Sequence, residues 1–307
     1  ICFISISYSA SPLNSFLKVF EYFIMFSYFI TVGSKYGFKK LEYLIIILLL
    51  IPVVSSFATL IFDNSLYFET GILSSKFPGF TTNTLTQYAV IGYIFFHYKY
   101  QKLRQIKFII FMSSCLLISI LSGSRTSLAI LLIYISVNFL KTNNNSIIKK
   151  AFLFIILTIV LIISFELIQT VLMRNQDIEL FLSLSGRVGI WTSVFDLIQL
   201  KPWMGYGYDS TFLFNQNLYL EGTIPSNSDS TYLDILYFTG LLGLIPFVFQ
   251  LKVFYNNFKN HQVFIWIFLV MLARSFTGST FHVANYSLVF VLLLFSYKLS
   301  KPNCLHE

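Results

Sequence analysis

Apolar runs recur along the chain at Phe16–Val32, Leu41–Phe62, Thr82–Phe96, Ile106–Leu121, Ser127–Leu140, Ala151–Leu167, Tyr232–Val253, Val263–Phe276 and Val283–Tyr297. Most suit a tilted or slightly short membrane-crossing helix of about 17–25 residues. Ser127–Leu140 is short enough to be a buried re-entrant helix, but discarding it puts Lys141, Lys149 and Lys150 on the wrong side. The pattern predicts an all-α polytopic integral membrane protein of about nine to ten transmembrane helices, one membrane domain over residues 1–307. Ile1 opens the chain in mid-hydrophobic sequence, without an initiator Met or a signal-peptide pattern, so an N-terminal truncation is expected.

The polar gaps alternate in charge. Of the 21 Lys and Arg residues, fourteen occupy every second gap: Lys35, Lys39, Lys40, Lys99, Lys102, Arg104, Lys107, Lys141, Lys149, Lys150, Lys252, Lys259, Lys298 and Lys301. Basic loops stay cytoplasmic, which orients the chain in a cytoplasmic (inner) membrane. A composition of 56% hydrophobic and 11% charged residues excludes a water-soluble domain. The net charge of +8 is spread along many membrane edges, which argues for topology and against nucleic acid as a partner. Cys2, Cys115 and Cys304 have no CxxC spacing and predict neither a disulfide framework nor a metal site.

The opposite face carries the candidate chemistry. Its longest gap, residues 168–231, forms a large extracytoplasmic loop, and its Trp and Tyr content argues for order. Trp191, Val194, Phe195 and Ile198 have helical spacing, predicting an interfacial helix opened by Ser185-Gly186 and closed near Lys201-Pro202. Six basic residues lie on this face against the charge rule: Lys76, Arg125, Arg174, Arg187, Lys201 and Arg274. An arginine at the membrane edge is costly unless it meets an anion, a water-filled cavity or lipid phosphate. Its planar fork holds phosphate oxygens two at a time. Asp229 and Ser230 precede a span, where either serves as a helix cap. Gly205 and Gly207 permit a close backbone approach to a phosphate or sugar, or a plain turn after Pro202. His282 is the single histidine of the outer face, too few for a metal site.

Three blocks on this face carry a resemblance: Leu121-Ser122-Gly123-Ser124-Arg125-Thr126-Ser127; Gly186-Arg187-Val188-Gly189-Ile190-Trp191 with Lys201-Pro202-Trp203-Met204-Gly205-Tyr206-Gly207; and Asp229-Ser230-Thr231-Tyr232-Leu233 with Thr239-Gly240-Leu241-Leu242-Gly243. Their order and spacing resemble the O-antigen ligase and polymerase superfamily, and most its Wzy-type polymerases. Lys76-Phe77-Pro78-Gly79 with Asn83 is similar to a further element in which members often carry Arg. The resemblance covers roughly residues 70–245.

The resemblance implies an enzyme that joins undecaprenyl-pyrophosphate-linked oligosaccharide repeat units into O-antigen or capsular polysaccharide on the outer face of the membrane. It needs no cofactor, nucleotide or metal, since pyrophosphate is already a good leaving group. Arg125 and Arg187 are then candidates to stabilise that group, and Asp229 to take the acceptor proton. Lys76, Trp191, Gly205, Gly207, Asp209, Arg274 and His282 are candidates for substrate binding. A chain-length regulator and a flippase of the same pathway are expected partners, beside the bilayer. Where the ligase branch tends to carry His-Asn, this chain has Asp229-Ser230, which favours polymerase over ligase. A transporter or flippase of lipid-linked sugars is the rival of another class, but the long outer gap has no counterpart in the first half of the chain. A purely structural membrane scaffold leaves the outer arginines Arg125, Arg174, Arg187 and Arg274 without a purpose.

Overall fold

The computed structural model describes residues 2–9, 12–35, 38–62, 82–122, 124–142, 187–208, 228, 230–259 and 261–278, and every regular element among them is helical. A four-residue helix α1 (Cys2–Ser5) and a 3-10 turn precede α2 (Pro12–Lys35), α3 (Phe38–Phe62), α4 (Thr82–Leu103), α5 (Ile106–Leu121), α6 (Arg125–Thr142), α7 (Arg187–Leu200), α8 (Thr231–Phe258) and α9 (Gln262–Ser275). Seven of the apolar runs fall on α2–α6, α8 and α9; Ala151–Leu167 and Val283–Tyr297 lie outside the described residues. The helix expected after Ser185-Gly186 is present as α7.

Segments of α3 and α8, Glu42–Thr59 and Thr231–Asn256, are long and apolar enough to cross a membrane. Shorter apolar helices are Ile106–Leu121, Thr126–Asn138 and Gln262–Ser275. Local chemistry sets several boundaries. Pro12 opens α2, where its missing N–H costs nothing. Pro52 sits inside α3, and the hydroxyls of Ser55 and Ser56 donate to its carbonyl at 3.0 and 2.6 Å. The α4 helix outlasts its apolar run by carrying Lys99 and Lys102 in its last turns; the Lys99 ammonium lies 5.8 Å from the Phe95 ring centre.

The chain divides into two compact units, Ile1–Leu48 with Ser183–Ile265 and Arg274–Glu307, and Leu49–Leu182 with Trp266–Ala273. In the second, α4 packs against α5 and α6. A Cβ on Gly92 would stand 2.9 Å from the Cys115 sulfur, so glycine sets how closely α4 and α5 approach. Phe96 packs against Phe111 at 5.1 Å between ring centres. His97 Nδ1 and the Tyr134 hydroxyl lie 2.8 Å apart. The Thr86 and Ser122 hydroxyls bond to each other just before Arg125, and the buried Ser124 donates to Ser127 at 3.3 Å just around it. In the first unit, α7 and α8 share a core of Val194, Ile198, Tyr206, Tyr237 and Phe238.

Candidate functional site

The α7 face differs from the expected one at a single position. Val194 and Ile198 are buried with Ile190 and Leu197 beside them, whereas Phe195 is 52% exposed. Phe195 is about 100° round the helix from Val194, at the edge of the apolar stripe. Trp191 and Arg187 fall within the stripe, and both are half-buried.

The residues after α7 complete a broken helix. At Gly240, φ is 63° and ψ is −164°, which splits α8 into two helices end to end. An unbroken helix would bond the N–H groups of Leu241 and Leu242 to the carbonyls of Tyr237 and Phe238. Here those N–H groups donate to Pro202 and Trp203 at 2.8 and 3.2 Å, and those carbonyls accept from Tyr206 and Gly207, both at 2.9 Å. The loop thus satisfies these four backbone groups, as buried backbone requires. Glycine is needed on both sides: Gly205 has φ +67°, and a Cβ there would stand 2.5 Å from the Tyr237 carbonyl oxygen. The Tyr206 ring stacks on Tyr237 at 4.9 Å, and its hydroxyl donates to the Leu197 carbonyl at 3.1 Å. Burial raises the Tyr206 phenol above its ordinary pKa.

The N-terminal segment clasps the far end of this loop. Ser5 Oγ accepts from the Tyr208 N–H at 3.1 Å, the Ser15 hydroxyl donates to the Tyr208 carbonyl, and the Ser9 and Ser15 hydroxyls lie 2.6 Å apart. A Cβ on Gly207 would stand 2.5 Å from Ser9 Cα. Nothing in the sequence pointed to these serines, because short polar residues in a leading segment carry no periodicity.

A second polar cluster opens α8. Ser230 is its N-cap by position, with extended backbone and no capping bond from its side chain. The buried Asp234 carboxylate reaches back past the cap: Oδ1 accepts from the Ser228 N–H at 3.0 Å and the Ser228 hydroxyl at 2.5 Å. This is a relative of the capping box, with an acid in the first turn reaching back to an earlier N–H and facing the positive end of the helix. The Ser228 carbonyl in turn accepts from the Trp191 indole at 2.9 Å.

Residues 108–248 match the family model described as O-antigen ligase, Wzy_C. Over these residues the chain is similar to the O-antigen ligase and polymerase superfamily. Searches of curated proteins and of solved structures found no match. The superfamily is membrane-embedded and works on lipid-linked oligosaccharides. In this chain the match spans Arg125, Arg187, the Gly205–Gly207 loop, Asp234 and the Gly240 break. Two of the blocks that carried the resemblance, Lys201–Gly207 and Thr239–Gly243, are therefore the two sides of one joint.

Arg125 and Arg187 are the first residues of α6 and α7. The unpaired N–H groups of a helix's first turn and its positive dipole end favour an anion there. Gly205 and Gly207 are buried and donate their N–H groups to Lys201 and Phe238, at 3.1 and 2.9 Å. Trp191 commits its indole N–H to Ser228. Arg274, in the last turn of α9, is buried and donates through Nη1 to both the carbonyl and the hydroxyl of Thr277. A cation suits the negative end of that helix. A Cβ on Gly278 would stand 2.7 Å from the guanidinium, and the Gly278 carbonyl accepts from Thr231 at 3.0 Å. Lys76, Asp209, Asp229 and His282 lie outside the described residues. Sequence reasoning passed over Asp234, although an acid in the first turn of an apolar helix is a known start signal.

Proposed function

We propose that this chain is the polymerase, a glycosyltransferase that extends undecaprenyl-pyrophosphate-linked polysaccharide on the outer face of the cytoplasmic membrane. The hydroxyl oxygen of the incoming repeat unit attacks the anomeric carbon of the growing chain. The bond from that carbon to the pyrophosphate oxygen breaks, its electron pair leaves with undecaprenyl pyrophosphate, and the hydroxyl proton passes to Asp229. Arg125 and Arg187 meet the charge that develops on the leaving group. The observation that carries this reading is that both arginines begin helices, where a guanidinium adds to first-turn N–H groups in holding phosphate oxygens. Asp229-Ser230, in place of the ligase-type His-Asn, supports polymerase over ligase.

The membrane arrangement belongs to the same proposal: about nine to ten spans, one domain, and residues 168–231 outside. Its outer surface passes near Gly240. From Leu241 the helix runs apolar toward Lys252, a residue of the cytoplasmic edge whose long side chain reaches out of the hydrocarbon core. Leu241, Leu242, Ile245, Val248 and Phe249 are exposed on that stretch, as lipid-facing side chains are. Trp203 and Met204, also exposed, sit at the break, at the level where aromatic residues anchor to the interface.

The test is the surface polysaccharide of a strain lacking the gene, complemented with full-length wild type, Arg187→Ala or Arg125→Ala, with membrane levels checked. A polymerase gives a single repeat unit on its final carrier in the null strain and a ladder with wild type. Removing one preorganised donor is expected to cut the rate by roughly 10²–10³. Long lipid-linked polymer with nothing attached assigns the ligase activity instead. A normal ladder from both arginine variants refutes the site.

A further inference from the structure

We infer that Asp234 is a positioning residue that acts on Arg187 through Ser228 and Trp191. The inference rests on the reading of Arg187 as a group that meets the leaving pyrophosphate. Asp234 is 7% exposed and Ser228 fully buried. A buried carboxylate is tolerated when its oxygens accept hydrogen bonds, and Oδ1 takes both donors of Ser228. The Ser228 hydroxyl proton has two acceptors in reach, Asp234 Oδ1 at 2.5 Å and the Ser230 carbonyl at 2.8 Å, and the shorter, charged contact takes it, while the oxygen accepts from the Ser230 N–H at 3.2 Å. Ser228 is therefore held through N–H, hydroxyl and carbonyl together, and the carbonyl is the one that receives the Trp191 indole.

Trp191 stands four residues after Arg187, one turn on and on the same face of α7. The buried anchors Val194 and Ile198 lie toward the helix C-terminus, and the first turn reaches that core only through the partly buried Ile190, so the indole bond adds a second restraint there. Tethering the indole to the hydrogen-bonded Ser228 fixes the rotation and axial position of the turn from which Arg187 projects. A displacement of about 1 Å at a group that meets a transition state costs up to about 100-fold in rate. Asp234 thereby influences catalysis without touching substrate.

The experiment is a double-mutant cycle on the full-length protein in proteoliposomes, with purified lipid-linked repeat unit as substrate and kcat and KM both measured. Asp234→Ala and Trp191→Phe are each expected to lower kcat by on the order of 10- to 100-fold with little change in KM. In the Arg187→Ala background neither is expected to lower it further, because the group they position is gone. Asp234→Asn keeps the acceptor oxygen and is expected to retain most of the rate. Losses that multiply with that of Arg187→Ala overturn the inference. So does an Asp234→Asn as inactive as Asp234→Ala, which points to the charge itself. Should Asp234→Ala fail to accumulate, Trp191→Phe, which deletes one hydrogen bond and keeps the ring, carries the cycle alone. A full rate from Arg187→Ala on its own refutes the underlying reading of Arg187, separately from the cycle.

Discussion

The two halves of α8 share one hydropathy run but not one environment. From Thr231 to Thr239 no large apolar side chain is exposed: Tyr237 and Phe238 join the core with α7, and the polar start is held by Asp234 and by Thr231 bonding to Gly278. From Leu241 onward the helix exposes Leu241, Leu242, Ile245, Val248 and Phe249. The boundary is a single residue, and it is where the loop after α7 enters the backbone ladder. A hydrophobic run therefore contains both an apolar stretch with exposed side chains and the wall of a built polar region. A break in a membrane helix is tolerable when another segment satisfies the released backbone groups.

The comparison breaks most completely at the joint. Gly240→Val forces a β-branched residue to a positive φ, at about 1–3 kcal/mol of strain, and drives its Cβ against the Trp203 carbonyl. The expected outcome is loss of the ladder with little extractable, monodisperse protein. Gly205→Ala, with its Cβ 2.5 Å from the Tyr237 oxygen, is expected to follow it to a lesser degree. Accumulation of either variant at wild-type level with a full ladder would mean that the joint is dispensable.

Spin labels sharpen the comparison at intermediate cost to the protein. A label at Asp196, on the exposed side of α7, is expected to be relaxed by a water-soluble nickel chelate. One at Ile245 or Phe249 is expected to respond to oxygen, which partitions into lipid. Matching chelate accessibility at Asp196 and Ile245 would move the membrane surface away from Gly240.

How far these features were legible follows from what kind of signal each leaves. The apolar helices and α7 could be read because burial writes a long apolar period, and the bounds of the Ile106–Leu121 helix coincide with its apolar run. The break at Gly240 could not, since Leu, Ile and Phe continue on both sides, and only a pairing with residues about 35 positions earlier reveals it. Arg125 and Arg187 stood out because they violate the charge rule. Asp234 escaped because it sits inside an apolar run and its partner Ser228 is one serine among several. Phe195 was placed inward because a helical stripe from sequence has soft edges, and the packing of Ile190 and Leu197 decides which edge is used.

The finest difference concerns Tyr206, whose phenol ties the loop to α7. Tyr206→Phe keeps the stacking on Tyr237 and removes the hydrogen bond to the Leu197 carbonyl, an expected loss of about 1 kcal/mol. At neutral pH this should appear as a small drop in the thermal inactivation temperature of the detergent-solubilised protein, with the ladder intact. Its pH dependence has a defined sign. Burial places the folded phenol above the ordinary value of 10.0. The folded state thus prefers the protonated form, and that contribution is fully present below pH 10 and lost as pH rises through the folded pKa. Phenylalanine has no proton to lose, so the stability gap between wild type and Tyr206→Phe should narrow at alkaline pH. A gap that widens there would mean that the phenolate is better accommodated than the phenol, contrary to a desolvated hydroxyl donating to Leu197.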